Sequence, residues 1–527
     1  MAPGLASARR LKFWRYVSGL EASGPTDRKK RGAAFNAVID NHMTPSTLQS
    51  VSAAPPRVAI VGGGIGGAAT AHFLLALRPD VRIDLFEASE KVGGRAHTLD
   101  AKIFGVPIDG GATSIFSKNK YLVSFVEKFG LAKAQDSGKD VIGLWDGRGF
   151  RFKWPDTSLL PARILARYGL SPLHVIAAVN EAVDRLDAIY DLQARNQSFA
   201  SPEALFDRLN LTSLTQRSAR SYLEDDLKVS ARFVDEFVDG ASRDNYNQDA
   251  DVNAFVDLVS LAGAGIGGSV FTLANGTTPL VDALLSSSSQ IAVHLSSPVA
   301  YISSAAAAHG LTVGLAGGVP EAAQTYDAVA LAAPLEHASG LQLSGPRIAL
   351  NTSRPYQRTC VTFVAGQLDA AYFGLRAVAT PPTDVLTVQN ASLPFSTLAV
   401  HATLNNGTQI FKLFSKRPLE EAVLDQIFAT RHRTRRLDWQ AAYPKLNPTP
   451  SRTTWPPFDV PLSVHSRESE VAGGANTAAA GRPLIYVSAM ESAVSCMETQ
   501  LISAKNAALR IASQLKDDGL VGMRVGV

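Results

Sequence analysis

The chain has 527 residues, 46% hydrophobic and 19% charged, a composition that excludes a disordered protein and is long enough for two domains. Its net charge of +4 is concentrated at the front: residues 1–54 hold eight Lys/Arg against three Asp/Glu, so the remainder stands at −1 and offers no footprint for nucleic acid. No apolar run approaches the ~18 residues that a bilayer span needs, and Cys360 and Cys496 fit no metal-binding spacing, so no metal is expected.

Residues 1–55 read as a basic, disordered leader without the apolar stretch of a secretory signal. Val58 to Val61 then forms the short apolar run of a buried parallel strand. Gly62, Gly64 and Gly67, with Gly66 among them, satisfy G-x-G-x-x-G, and Ala68 to Leu77 continues with helical spacing. A second run, Val81 to Phe86, ends in Glu87, twenty residues past Gly67. Each part suits a dinucleotide. Gly62 permits a tight turn, Gly64 lets backbone approach a pyrophosphate, Gly67 lets the helix lie close on the sheet, and Glu87 accepts from a ribose. The helix start presents N–H groups and partial positive charge to phosphate.

Glu87, Gly93, Gly94, Arg95 and Thr98 follow as E-x5-G-G-R-x-x-T. Adjacent glycines leave backbone N–H groups open to an anion, and Arg95 adds a fixed fork of donors. This resembles the second signature of amine-oxidase-like flavoproteins and implies FAD, with Gly93, Gly94 and Arg95 along its pyrophosphate. The same resemblance puts Gly110, Gly111 and Ala112, behind the short strand at Ile108, near the isoalloxazine ring.

Further along, Tyr121 to Phe129 predicts a short helix and Val141 to Trp154 a hairpin. Apolar residues at three- and four-residue spacing from Pro161 to Val238 predict an inserted helical domain. Strands return at Ile291–Leu295, Pro298–Ile302 (with Val299) and Leu311–Leu315, and Tyr326–Pro334 reads as a buried strand with a loop. The β-rich runs 358–368, 384–389, 397–404 and 408–415 predict an antiparallel sheet that floors the substrate site, and Leu437 to Pro457 reads as irregular. The Arg431–Arg436 run reads as a solvated basic face, and Met490 to Leu515 as a closing helix. The expected fold class is α/β: a split Rossmann-like FAD-binding domain (56–155, 266–340, 470–527) with a second α+β substrate domain (156–265, 341–469) made of the helical insertion plus antiparallel sheet.

Three blocks narrow the family. They are Asn245-Tyr246-x-Gln248 with Asn253-Ala254-Phe255-Val256, Trp439 through Ala442-Tyr443-Pro444, and Ala489-Met490-Glu491-Ser492-Ala493 with Met497-Glu498. Together they resemble prenylcysteine oxidase, also called prenylcysteine lyase, over about Arg57 to Leu515. The family's animal members begin with a signal peptide, absent here, and Lys505 stands where a histidine is common.

The resemblance implies oxidation of the carbon bonded to sulfur in farnesyl- or geranylgeranylcysteine. Loss of hydride leaves a cation stabilised by the allylic double bond and the sulfur lone pair. Water adds, and the hemithioacetal collapses to cysteine and prenyl aldehyde, with the electrons passing to O2 as hydrogen peroxide. Such a reaction asks for orientation and an apolar pocket more than for a strong base, and no catalytic residue is singled out. The expected cofactor-binding set is Gly62, Gly64, Gly66, Gly67, Glu87, Gly93, Gly94, Arg95, Gly110, Gly111, Ala112, Val299, Glu491 and Glu498. The last two carboxylates suit either ribityl hydroxyls or the capping of free N–H groups. Phe255, Phe271, Phe363, Phe395, Phe411 and Phe414 are candidates for a prenyl tunnel or for ordinary core.

Two other readings remain open: another amine-oxidase-like FAD oxidase or desaturase, and a non-enzymatic prenyl-protein escort of the same fold. The expected partners are a small prenylcysteine and O2, with no nucleic acid, no transmembrane segment and at most a peripheral membrane contact. Oligomeric state stays open. Sequons at Asn196, Asn210, Asn275, Asn351, Asn390 and Asn406, with the family resemblance, point to a glycoprotein of the lysosome, vacuole or secretory pathway.

Overall fold

Five apolar runs far apart in sequence meet in one parallel sheet. Its strand order is Leu484–Tyr486, Ala328–Leu331, Arg57–Val61, Arg82–Phe86, Ile291–His294. All neighbours run parallel, with Ile60 opposite both Leu85 and Ala330. A parallel sheet is covered on both faces, which explains why Val58 to Val61 and Ala328 to Leu331 are buried at every position. The computed structural model describes residues 54–134, 141–154, 160–304, 310–318, 322–338, 340–344, 354–377, 379–388, 392–449, 455–460 and 482–515. The leader (1–53) and the sequons Asn351 and Asn390 lie outside these residues.

The helix Ile65–Leu77 follows the first strand, and the closing helix Met497–Gln514 packs along it. Two glycines make the first packing possible. Gly62 turns with φ +111°, and a Cβ built on Gly67 would stand 2.0 Å from the Gly62 carbonyl oxygen. Beside this layer lies a four-stranded sheet with the order Gln324–Tyr326, Leu311–Leu315, Val299–Ser304, Gln342–Ser344.

The second domain is built on a seven-stranded sheet. Its order is Phe428–Pro444, Tyr356–Leu368, Gln409–Ser415, Thr397–Thr403, Asp384–Thr387, Ile142–Trp145, Phe150–Trp154. All pairs are antiparallel except Asp384–Thr387 with Ile142–Trp145. The helical insertion begins at Leu160, includes the 24-residue helix Ser171–Ala194 and ends with Ala254–Gly263. Its helix Asp239–Tyr246 lies on the strands Asp384–Thr387 and Thr397–Thr403.

Three expectations are corrected here. The hairpin 142–154, placed by sequence within the cofactor segment 56–155, hydrogen-bonds to Asp384–Thr387 and so extends the other domain's sheet. Local hydrophobicity cannot say which sheet edge a hairpin joins. Gln342–Ser344, placed in the segment 341–469, pairs instead with Val299–Ser304. Leu437 to Pro444 is not irregular: it ends a 17-residue strand, Phe428–Pro444. That strand is outermost in its sheet and breaks register with its neighbour at three places, so neither composition nor alternation marked it.

Cys360 and Cys496 are both free thiols. Asn196, Asn210, Asn275 and Asn406 are exposed. No helix among the described residues is long and apolar enough to cross a membrane. The close contact at Gly67 gives a test: Gly67→Ala should cost about 2 kcal/mol or more, because its methyl meets backbone rather than a yielding side chain. The check is urea denaturation followed by circular dichroism, and an unchanged midpoint would contradict the packing described.

Candidate functional site

The first strand ends in a backbone hollow. Gly64 caps the helix Ile65–Leu77 in an extended conformation, with no side chain bonding the free N–H groups. A Cβ on Gly64 would meet nothing nearer than the Gly93 oxygen at 3.9 Å and the Gly94 Cα at 4.0 Å, so that side of the turn is open. Gly93 donates its N–H to the Gly63 carbonyl at 2.9 Å, bringing the two glycine motifs edge to edge. An uncapped helix start beside a glycine turn can hold phosphate. Gly66 faces the closing helix, where its Cβ would be 3.4 Å from the Gln500 Oε1.

Glu87 is anchored to this turn. Its Oε2 accepts the Gly63 N–H at 2.7 Å, and its Oε1 accepts the Ser89 N–H and hydroxyl at 2.9 and 2.7 Å. That leaves Oε2 a lone pair for a ribose hydroxyl. The Ser297 N–H donates to the Glu87 carbonyl at 2.9 Å, and Val299 opens its strand two residues on.

Arg95 ion-pairs with Glu491 Oε1 and donates to the Ala442 carbonyl at 3.1 Å. Glu491 is fully buried; Ser495 donates to its Oε1 at 3.2 Å, while Oε2 has no hydrogen-bond partner among the described residues. A buried carboxylate oxygen left open in this way is an acceptor awaiting a donor. Glu498 is in a different position. Its oxygens accept the Tyr121 and Leu122 N–H groups at 2.8 and 2.9 Å and the Tyr190 hydroxyl at 2.6 Å. It therefore caps the helix Lys120–Lys128, the second of the two roles the sequence allowed. Burial pushes its carboxyl up to about 7 despite those bonds.

A cavity opens between the domains, lined by Gly111, Ala112 and Phe116 from the first and by Tyr246, Phe414 and Tyr443 from the second. A Cβ on Gly111 would lie 2.0 Å from the Arg95 carbonyl oxygen, so only glycine fits there, while one on Gly110 would meet a methyl of the Leu437 side chain at 2.4 Å, a contact that a shift of that side chain relieves. On the floor, Lys412 donates to the Asp109 and Gly111 carbonyls at 3.0 and 3.3 Å and to the Thr113 hydroxyl at 3.3 Å. Sequence reading missed Lys412, yet the signal was there: it is the lone charge in an otherwise apolar strand, Ile410-Phe411-Lys412-Leu413-Phe414.

The three sequence blocks converge around this cavity. Tyr246 meets Tyr443 edge-on with ring centroids 5.2 Å apart. Gln248 donates to the Pro444 carbonyl at 3.1 Å and accepts the Leu446 N–H at 3.0 Å. Asn253 caps the helix Ala254–Gly263 and donates to the Ala493 carbonyl at 3.0 Å. The phenylalanines do not converge. Of the six candidates only Phe414 lines the cavity. Phe255 packs on Phe206, Phe363 on Phe104, Phe395 on Trp145 and Phe411 on Phe428, all in cores, while Phe271 lies under Lys133.

Fold and site define a two-domain protein of the Rossmann dinucleotide-binding type, and residues 60–129 match the NAD(P)-binding Rossmann-like domain. Residues 156–459 match the family model of prenylcysteine lyase, and the chain belongs to that family. It is 28% identical to the farnesylcysteine lyase of Arabidopsis thaliana over 480 residues, 87% of this chain and 89% of that one. It is 27% identical to human prenylcysteine oxidase 1 over 484 residues, again 87% and 89% of the two chains. Among solved structures, a triple mutant of putrescine oxidase superposes with a TM-score of 0.55 at 16% identity, covering 87% of this chain and 99% of that one. At that identity the likeness concerns the fold alone.

The open side of Gly64 yields a prediction. Gly64→Val should fold, since no protein atom opposes the new Cβ, but should fill the hollow and be purified without bound dinucleotide. Absorbance of the purified variant is the measurement, and cofactor content equal to wild type would sink the assignment.

Proposed function

We propose that this protein is an FAD-dependent thioether oxidase that cleaves S-prenyl-L-cysteine with O2 and water into cysteine, prenyl aldehyde and hydrogen peroxide, in the breakdown of prenylated proteins. The observation that carries the reading is the meeting of the three family blocks at one cavity whose wall residues Gly111 and Ala112 lie against the Arg95 backbone of the second glycine motif. The two curated relatives, a farnesylcysteine lyase and a prenylcysteine oxidase, support the substrate class.

The residues present fit FAD. The uncapped start of Ile65–Leu77 with Gly62, Gly64, Gly67, Gly93 and Gly94 suits its pyrophosphate, and Glu87 with Val299 suits the adenosine end. The unpartnered Glu491 Oε2 suits a hydroxyl donor, and Arg95 holds that carboxylate in place. Gly110, Gly111 and Ala112 would present bare backbone to the ring. When bound, FAD supplies acceptance of a hydride from the carbon attached to sulfur and return of the electrons to O2.

The chain's own part is binding, orientation and exclusion of water. Phe116, Val259, Ala262, Phe414 and Tyr443 give the cavity apolar wall for a prenyl tail. Lys412, held by three acceptors, fixes a positive charge beside Gly111. Burial raises the Tyr443 hydroxyl to about 12, so it stays neutral and offers no base. Glu498 is committed to its cap. The arrangement favours positioning over acid–base work, as a reaction driven by hydride loss requires.

Purified protein should release cysteine, prenyl aldehyde and peroxide in equal amounts from farnesylcysteine. S-dodecylcysteine should react far more slowly, since it lacks the allylic double bond that stabilises the developing cation, and each ~1.4 kcal/mol lost is tenfold in rate. Equal rates for the two thioethers would refute the mechanism. Oxidation of simple amines in preference to prenylcysteine would move the protein to another oxidase class.

A further inference from the structure

The closing helix Met497–Gln514 packs along the helix Ile65–Leu77, and it buries two polar side chains that the protein leaves unsatisfied. Gln500 is 8% exposed and Ser503 fully buried. The Gln500 Nε2 and the Ser503 Oγ have no hydrogen-bond partner among the described residues. The two are three residues apart and share a face, but their needs differ. A serine hydroxyl can turn back to a carbonyl of its own helix, whereas a glutamine amide must find its partner elsewhere.

The Gln500 amide stands against the glycine turn. A Cβ on Gly66 would lie 3.4 Å from the Gln500 Oε1 and 3.6 Å from a methyl of Val487. Gly66 is the second residue of Ile65–Leu77, and it is not among the glycines with positive φ, so the backbone does not call for glycine there. What its missing side chain provides is room, because anything longer than a methyl would displace the amide. The same turn holds the uncapped helix start, where the first internal bond is made by the Ala68 N–H and the N–H groups before it have no side-chain cap.

A buried amide without a partner is costly and calls for a ligand. The ligand that suits an uncapped helix start is an anion rich in acceptor oxygens. A half-turn of the amide exchanges its oxygen and nitrogen without changing its shape, so the NH2 group can face either way.

We infer that Gln500 donates its side-chain N–H to the cofactor's pyrophosphate, so that the last helix of the chain holds the phosphates together with the first. Gln500 takes this part only with FAD as the cofactor, as proposed above, and it lies outside both glycine motifs. Gly66 then contributes by the side chain it lacks, which admits Gln500 to the turn.

Gln500→Leu keeps a similar volume and removes the donor. FAD titrated into flavin-stripped, full-length protein, followed by quenching of flavin fluorescence, should bind this variant on the order of 10- to 100-fold more weakly than wild type, the range of one hydrogen bond to a charged acceptor. The flavin-free variant should unfold at an equal or higher urea midpoint, since an apolar side chain replaces a stranded amide. A merely structural glutamine would lower both quantities or neither. Gln500→Glu, the same in shape, sets a carboxylate against phosphate and should bind FAD more weakly still. Ser503→Ala, one turn further along, should keep wild-type affinity. In the loaded proteins, the phosphorus NMR signals of bound FAD should move in Gln500→Leu and stay in place in Ser503→Ala.

Gln500 loses this role if Gln500→Leu binds FAD as tightly as wild type, if its affinity and urea midpoint fall together, or if Ser503→Ala weakens FAD to the same extent. A wild type that binds no FAD overturns the cofactor reading as well. A wild type that loads FAD through Gln500 yet leaves prenylcysteine untouched overturns the reaction alone.

Discussion

The ion pair between Arg95 and Glu491 is the contact on which the site depends. Arg95 comes from the second glycine motif, Glu491 from the turn before the closing helix, and the Ala442 carbonyl that Arg95 also holds comes from the other domain. Glu491 is fully buried, so loss of the arginine would strand a charge without solvent, an error that costs several kcal/mol in proteins. A second arginine works on the neighbouring residue. Arg354 pairs with Glu336 and donates to the hydroxyls of Ser492, Tyr356 and Tyr486. Two guanidinium groups thus hold the segment around Glu491 between the domains, and the cavity walls inherit their spacing from that joint.

Much of the first domain was legible because its requirements are local. The turn at Gly62 and the close packing at Gly67 follow from backbone geometry within one strand–helix–strand unit and stand as expected, and the same unit brings the Glu87 carboxylate to the Gly63 N–H. Glu498 shows where locality ends. Its place in the first turn of a helix was readable, but its acceptance of N–H groups from Tyr121 and Leu122 joins residues more than 370 apart. The hairpin 142–154 fails in the same manner, since its sheet partner lies some 240 residues downstream.

The phenylalanines carry a related lesson. Five of the six candidates fill packing clusters or surface contacts, and the cavity takes its aromatic wall from Phe116, Tyr246 and Tyr443 as well as Phe414. Aromatic type predicts burial, and burial alone does not tell a core from a pocket lining. What marks the cavity is the mixture: two lysines, a histidine and carboxylates set among apolar side chains over a sheet floor. Lys412 was visible as a charge out of keeping with its neighbours, which is a better guide than the apolar residues around it.

The strand Phe428–Pro444 has a consequence of another kind. Among the described residues it lies at the rim of the seven-stranded sheet, paired on one side only with Tyr356–Leu368. Seventeen residues of extended backbone at a rim are a template for a strand from any other chain, and long bare rims are how β-proteins seed fibres. Here His432, Arg433, Arg435 and Arg436 are exposed along it, and Arg431 and Arg436 are held by Glu421 and Asp425 of the preceding helix. Two approaching copies would bring these guanidinium groups against one another. Charge along an outer strand is a common way of keeping such an edge from pairing with another chain, and the basic run that sequence reading took for a solvated face lies along this one.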